Sequence, residues 1–238
     1  GILLLDETGS IRQLIGETRR YIRKRGIRRY RGGWMFPVEQ GKSTPLSKVT
    51  NEDFSRAMLK DGERDLEIGR QLTRAAFYDK AVYHFQQAAE KAVKGILIAL
   101  GVFQRTLFVG EILKDTVNEK ALTDPWAARL LEVGRISERM EPQVILSRYP
   151  GIQKDKLWLP SEEYGDEEAR EAWRNGEKAC AIAQQFLSHW FEKTPRVASR
   201  THLDPRTSQP QKWKPLSHPK SSSLCNVFIV SRNPSMLQ

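Results

Sequence analysis

The sequence predicts an all-α protein, an antiparallel bundle of four to five helices, and three observations carry that prediction. Phe77 to Gly101 places Phe77, Ala81, Phe85, Ala88, Ala89, Ala92, Ile96 and Leu100 at three- and four-residue steps, which is one face of a helix. Glu167 to Trp190 repeats the pattern with Ala169, Ala172, Trp173, Gly176, Ala179, Cys180, Ala183, Phe186, Leu187 and Trp190. The break between the central helix and the periodic segment before it is very short, and short connections make antiparallel neighbours.

In chain order, Ile2 to Leu5 is a short apolar run, and Thr8-Gly9-Ser10 supplies a turn with Ser10 as N-cap. A helix follows from Ile11 to about Arg25. Its apolar side is Ile11, Leu14, Ile15, Thr18 and Ile22, its last turns are crowded with cations that suit the helix dipole, and Gly26 ends it. Arg28 to Pro37 interleaves basic and aromatic residues in a strand or loop. That segment reads either as an RNA or phosphate contact or as a solvated helix end with an apolar edge. Residues 38–51 read as a polar linker. Asn51 or Asp53 caps a helix running to about Ala75, with Phe54, Ala57, Met58, Leu66, Gly69 and Leu72 inward. In the central helix, Ala88, Ala89 and Ala92 let a neighbour approach closely, and Gly101 stops it. Residues 102–107 read as loop, Phe108 to about Asn118 as a shorter helix, and Pro125 opens another that runs to about Met140. Ser147 to Gly151 is a turn, and the stretch to Asp166 reads as irregular. From Thr194 the composition turns to proline, serine and basic residues without helical period, which predicts disorder.

The net charge of +10 is unevenly spread. Residues 1–31 and 194–238 carry roughly +6 each, leaving roughly −2 for the body, so a sequence-independent pull on phosphate backbones would come from the two ends. Two cysteines, Cys180 in a helical stripe and Cys225 in the tail, make neither a disulfide framework nor a paired metal motif, which suits a reducing, cytoplasmic setting. No apolar run is long enough to span a bilayer and no secretory signal opens the chain, so no membrane role is expected. The chain begins at Gly1 without a methionine, and the expectation is a piece of a longer protein or a processed product.

Three stretches together resemble the HEPN family of small helical domains. They are the string Ala81-Val-Tyr-His-Phe-Gln-Gln-Ala-Ala-Glu-Lys-Ala-Val-Lys-Gly, the Ser147-Arg148-Tyr149-Pro150 turn, and the final helix with Ala179 and Phe186 inward. The resemblance covers residues 52–193. Residues 1–37 resemble the C-terminal part of a minimal nucleotidyltransferase domain, of the kind that precedes HEPN domains in some prokaryotic fusions. The resemblance implies a helical bundle, usually a homodimer, that works beside a nucleotidyltransferase domain or subunit in binding an ATP-like nucleotide or in toxin–antitoxin systems. Nucleotidyltransferases of that kind need a Gly-Ser turn and paired aspartates for magnesium. Here Gly9-Ser10 runs into Ile-Arg-Gln-Leu, and that arrangement is missing. The family's ribonuclease branch carries an arginine, four to six residues, then a histidine, a pair suited to general acid–base cleavage. No histidine follows Arg148 at that spacing. Arg196 to His202 fits it but falls in the tail, where it reads as a chance match. The expectation is thus a non-catalytic module with no cofactor and no metal.

The candidate phosphate- or nucleotide-binding residues are Arg148, Tyr149, His84, Lys80 and Lys91. Arg148 and Tyr149 can offer a guanidinium fork and an aromatic face to a nucleotide, or simply lock their loop onto the bundle. His84 shares a polar stripe with Lys80, Gln87, Lys91 and Lys94 on the side of the central helix away from the core. Those donors suit a phosphate or a dimer face, and a solvated histidine fits as well. His189 in the last helical turn is explained by the carbonyl ends around it. Asp61, Asp65, Glu167 and Glu171 sit at i, i+4 without an EXXH companion, so they make no di-metal site. Two other function classes stay open: an RNA-cleaving toxin using Arg148 with His84 brought in by folding, and nucleic-acid binding through the basic termini alone.

Overall fold

The computed structural model describes residues 10–46 and 48–192. The apolar run at Ile2, Cys225, the Arg196 to His202 match and the rest of the basic tail lie outside them. Among the described residues there are eight helices and five short strands. Helix α1 is Ser10–Lys24, closed at Gly26 (φ +63°) by hydrogen bonds from Gly26 N to Arg23 O (3.2 Å) and Ile27 N to Ile22 O (3.0 Å). Strands β1 (Arg28–Tyr30) and β2 (Gly33–Met35) form an antiparallel hairpin on Arg31 and Gly32, both at positive φ, as a two-residue hairpin turn requires.

Helix α2 (Asn51–Arg74) begins one residue earlier than the sequence suggests. Its cap is Thr50, in a reciprocal box: Thr50 Oγ1 accepts from Asp53 N (3.1 Å) and the Asp53 carboxylate accepts from Thr50 N (2.9 Å). Those bonds hold the Asp53 carboxyl below its ordinary value. Asn51 is not a cap. It is fully buried, accepts from Thr44 N (2.6 Å) and donates to Ala99 O (3.5 Å), so it ties the segment before α2 to the end of the next helix.

That helix, α3 (Tyr78–Ala99), is the axis of the fold, and none of its residues from Ala81 on is exposed. It packs most extensively on α2 and on α8 (Asp166–Phe191), and on its other flank meets α4 (Gly110–Glu119), α5 (Trp126–Met140) and α6 (Gln143–Leu146). Close approach is possible because the partners are small where Phe85 is large. A Cβ at Gly69 of α2 would lie 2.5 Å from the Phe85 ring, and one at Gly176 of α8 would lie 3.0 Å from Phe85 O. Burying each large side chain of this seam stabilises by about 1.5–3 kcal/mol. Phe85, Ile96, Leu97, Leu113, Leu130, Ile136, Phe186 and Leu187 are among its fully buried members. Cys180 lies within it, and burial pushes its thiol up to about 12.

Two segments differ from the sequence expectation. Residues 102–107, expected as loop, contain strand β3 (Val102–Phe103), which adds to β2 in the register Trp34↔Phe103 and Met35↔Val102. Gly101 makes this possible: its φ is +80°, and a Cβ there would lie 2.3 Å from Phe36 O. A two-residue strand has no alternation to read. The stretch before Asp166, expected as irregular, holds the hairpin β4 (Gly151–Gln153) and β5 (Lys156–Trp158) and the short helix α7 (Pro160–Glu163). Its turn residues Lys154 and Asp155 sit at φ 48° and 62°, without the glycine that would have signalled a hairpin. Trp158 donates to Leu146 O (2.8 Å) and meets Tyr164 edge-on, which ties the hairpin to the end of α6.

Candidate functional site

One stripe of α3 carries Tyr83, Gln87 and Lys94, all half-buried, as a polar strip. Glu90 lies beneath it, 5% exposed, and is fully satisfied: Lys94 Nζ reaches one carboxylate oxygen (2.8 Å), and Gln86 and Gln87 donate to the other (3.2 Å each). On the α2 side, His84 Nδ1 stands 2.9 Å from Asp65 Oδ1, and Lys91 Nζ bridges Asp61 and Asp65 at 2.5 Å each. Burial alone would raise the Asp65 carboxyl, but the hydrogen bonds and charges of His84 and Lys91 outweigh it and hold the group below its ordinary value. Burial would likewise lower Lys91, and its two aspartates raise it instead. Ionised Asp65 can only accept, so His84 Nδ1 donates to it.

On the other side, the turn after α6 presents Arg148. Its guanidinium lies over the rings of both Tyr83 (5.0 Å) and Tyr149 (4.8 Å) and donates to Tyr149 Oη (2.7 Å). Tyr83 in turn meets the His84 ring edge-on at 5.3 Å. An unbroken row of contacts therefore runs Tyr149, Arg148, Tyr83, His84, Asp65, Lys91. Its cations differ in one respect. Lys91 and Lys94 each hold a carboxylate, and exposed Lys80 pairs with Asp79 at 2.9 Å. Arg148 is exposed and has no carboxylate within salt-bridge distance among the described residues.

Of the five candidates, the structure joins Arg148, Tyr149, His84 and Lys91 through this row, while Lys80 stands apart from it on Asp79. Of the polar donors that suited a phosphate, a dimer face or plain solvent, His84 and Lys91 are committed to α2 carboxylates, and Gln87 and Lys94 to Glu90 of their own helix. Sequence reasoning missed Tyr83. Its only signal was its place one step from His84 on the same helix, where an aromatic ring can bridge to the Arg148 turn. Asp65 was weighed only as a metal ligand, although its distance from α3 is set by the same hairpin that positions His84. The basic segment of residues 28–37 is partly engaged already: Arg29 lies 4.1 Å over the Trp34 ring, and Arg31 pairs with Asp115 of α4 at 2.8 Å. Among the described residues no group of three or more histidine, cysteine or acidic side chains is placed to hold a metal, and no helix is long and apolar enough to cross a membrane.

The HEPN domain family model matches residues 55–187, which is more than half of the chain and contains every residue of the row. This chain belongs to the HEPN family. A relative from Methanocaldococcus jannaschii, named "Putative toxin MJ1304", is 33% identical over 141 residues, covering 59% of this chain and 93% of the relative. Among solved structures, ST0689, described as an archaeal HEPN homologue, is 27% identical with a TM-score of 0.42, covering 56% of this chain and 97% of its own. TT1696 from Thermus thermophilus is 21% identical with a TM-score of 0.44, covering 55% and 96%.

Proposed function

We propose that this HEPN chain is the toxin-side component of a toxin–antitoxin-type pair and binds a nucleotide phosphate at Arg148 without cleaving RNA. The observation that carries the reading is the state of Arg148: an exposed guanidinium, held between two tyrosine rings and left without a carboxylate. A planar fork pre-oriented in this way loses little freedom on gripping a phosphate, and the aromatic faces beside it suit a base. The toxin name of the archaeal relative supports the class of system. The apolar side chains near Arg148 in sequence, Ile145, Ile152 and Leu157, are 57%, 80% and 66% exposed, which supports a homodimer or a nucleotidyltransferase partner that covers this face.

A second reading rests on the Asp65 to His84 hydrogen bond. A carboxylate on Nδ1 orients an imidazole so that Nε2 can take a proton, as cleavage of RNA at its 2′-hydroxyl requires, with Arg148 holding the phosphate. Calorimetric titration of the chain with ATP, beside an assay on mixed RNA, separates the two. Binding that is lost in Arg148→Ala and kept in His84→Ala, with intact RNA, is the expected result. RNA cleavage that both substitutions abolish would establish the second reading in its place. Neither binding nor cleavage would remove both.

A further inference from the structure

A second basic feature lies apart from Arg148, where the C-terminal end of α2 meets the first turns of α8. Arg70, Thr73 and Arg74 of α2 and Asp166, Arg170 and Trp173 of α8 line a cleft of about 240 Å³. Three of its six lining residues are arginines and one is acidic. Arg170 Nε is held by Asp166 (2.5 Å), and Arg70 reaches Glu177 (2.8 Å) and Glu67 (3.4 Å). Arg74 makes no salt bridge among the described residues.

Two donors there are more telling than the charges. Trp173 Nε1 and Arg70 Nε are both buried, and neither has a protein acceptor. Buried polar hydrogens are nearly always paired, and both orphans belong to side chains that line this cleft, which leaves them to an acceptor the chain does not supply. The Trp173 ring is already engaged by Phe85 (6.4 Å between centroids, 9° between planes) and by Arg70, which lies over it at 5.2 Å. The volume is below the range typical of drug-sized ligands. What fits is a small group that only accepts hydrogen bonds and carries negative charge.

We infer that this cleft is a phosphate-binding site, taking a phosphate monoester through Arg74, Arg170 and the orphan donors of Arg70 and Trp173. The phosphate can belong to a free sugar phosphate or to a nucleic-acid backbone. The test is titration of the full chain, followed by calorimetry and by the indole N–H resonance of Trp173, with inorganic phosphate, ribose 5-phosphate and a short single-stranded RNA. Ribose 5-phosphate should bind and shift the Trp173 signal. The double substitution Arg74→Ala with Arg170→Ala should weaken binding at least tenfold, and Arg148→Ala should leave it unchanged. RNA binding that falls in parallel in the double variant would identify the backbone as the source, and RNA binding that is indifferent to it would identify the free ester. Arg74→Gln alone guards against a folding defect, because Arg74 breaks no salt bridge when replaced, and should weaken binding severalfold with the melting temperature unmoved. The inference is overturned by a Trp173 resonance that no probe moves, or by affinities that neither the double variant nor Arg74→Gln changes.

Discussion

From Ala81 to the end of α3 no residue is exposed, whereas α1 buries none of its residues. Both helices carry an apolar stripe at helical spacing, and α1 has the cleaner separation of apolar from basic faces. The difference lies in the neighbours. Around α3, a Cβ at Gly69 of α2 would collide with the Phe85 ring, and one at Gly62 of α2 or Gly176 of α8 would crowd Ala88 O (3.1 Å) or Phe85 O (3.0 Å). Cover for that stripe is therefore written into two segments of the chain far apart in sequence. No described element packs broadly on α1, and Leu14 and Ile15 remain 42% and 45% exposed. A stripe states which face must be covered; the partners' small residues state by what.

The comparison can be broken most sharply at Phe85, which is fully buried against α2 and α8. Phe85→Ala should cost about 3–5 kcal/mol, since a cavity is left that the glycine-lined walls cannot fill. In a domain of this size that lowers the melting temperature by roughly 10 °C, read by circular dichroism or calorimetry. A shift of only a degree or two would mean that the seam is loosely packed and that α3 is not the axis of the fold.

A smaller effect is expected at the polar edge of the same seam. Asp65→Asn leaves Lys91 with Asp61 as its remaining carboxylate and His84 without a full charge to face, at a cost of about 1–3 kcal/mol. Because the folded Asp65 carboxyl lies below its ordinary value, the unfolded chain takes up the proton first. The contribution is whole above the usual aspartate range near about pH 4 and is lost as pH falls through the lower folded value. Lys91, raised in the folded state, sets the opposite limit: its share is whole below the usual lysine range near about pH 10.4 and drains as pH rises beyond it. Denaturant melts at a series of pH values should therefore converge for wild type and Asp65→Asn in acid and separate at neutral pH. Equal spacing at every pH would show that Asp65 acts through packing and not through charge.

How much of this was legible follows from what each feature needs. The α2–α3 hairpin, α5 and α8 could be read because long amphipathic segments repeat their signal many times. The strand β3 and the Lys154-Asp155 hairpin could not, because a two-residue strand has no period and the hairpin turn uses no glycine. Arg148, Tyr149 and His84 could be singled out by residue type and resemblance. That Tyr83 would join them, and that Asp65 and Lys91 would close on each other, depends on how α2 and α3 are rotated about their axes. The glycine contacts fix that rotation, and no single segment records it. The Arg74 cleft was invisible for the same reason, since its two halves are about a hundred residues apart in sequence.

The smallest effect is expected at α1, and it tests the other side of the comparison. A helix of fifteen residues is at the margin of stability in water, and substitution on an uncovered face changes little. Ile15→Ser in the chain alone should therefore shift stability by no more than about 0.5 kcal/mol, roughly a degree in melting temperature. A loss several times larger would mean that the stripe of α1 is covered in solution after all. The dependence of melting on protein concentration would then name the cover. Melting that rises with concentration identifies a second copy of the chain, because association adds its free energy by mass action. Melting independent of concentration identifies a segment of the same chain. In either case α1 would cease to be the counterexample to α3 and would follow the same rule.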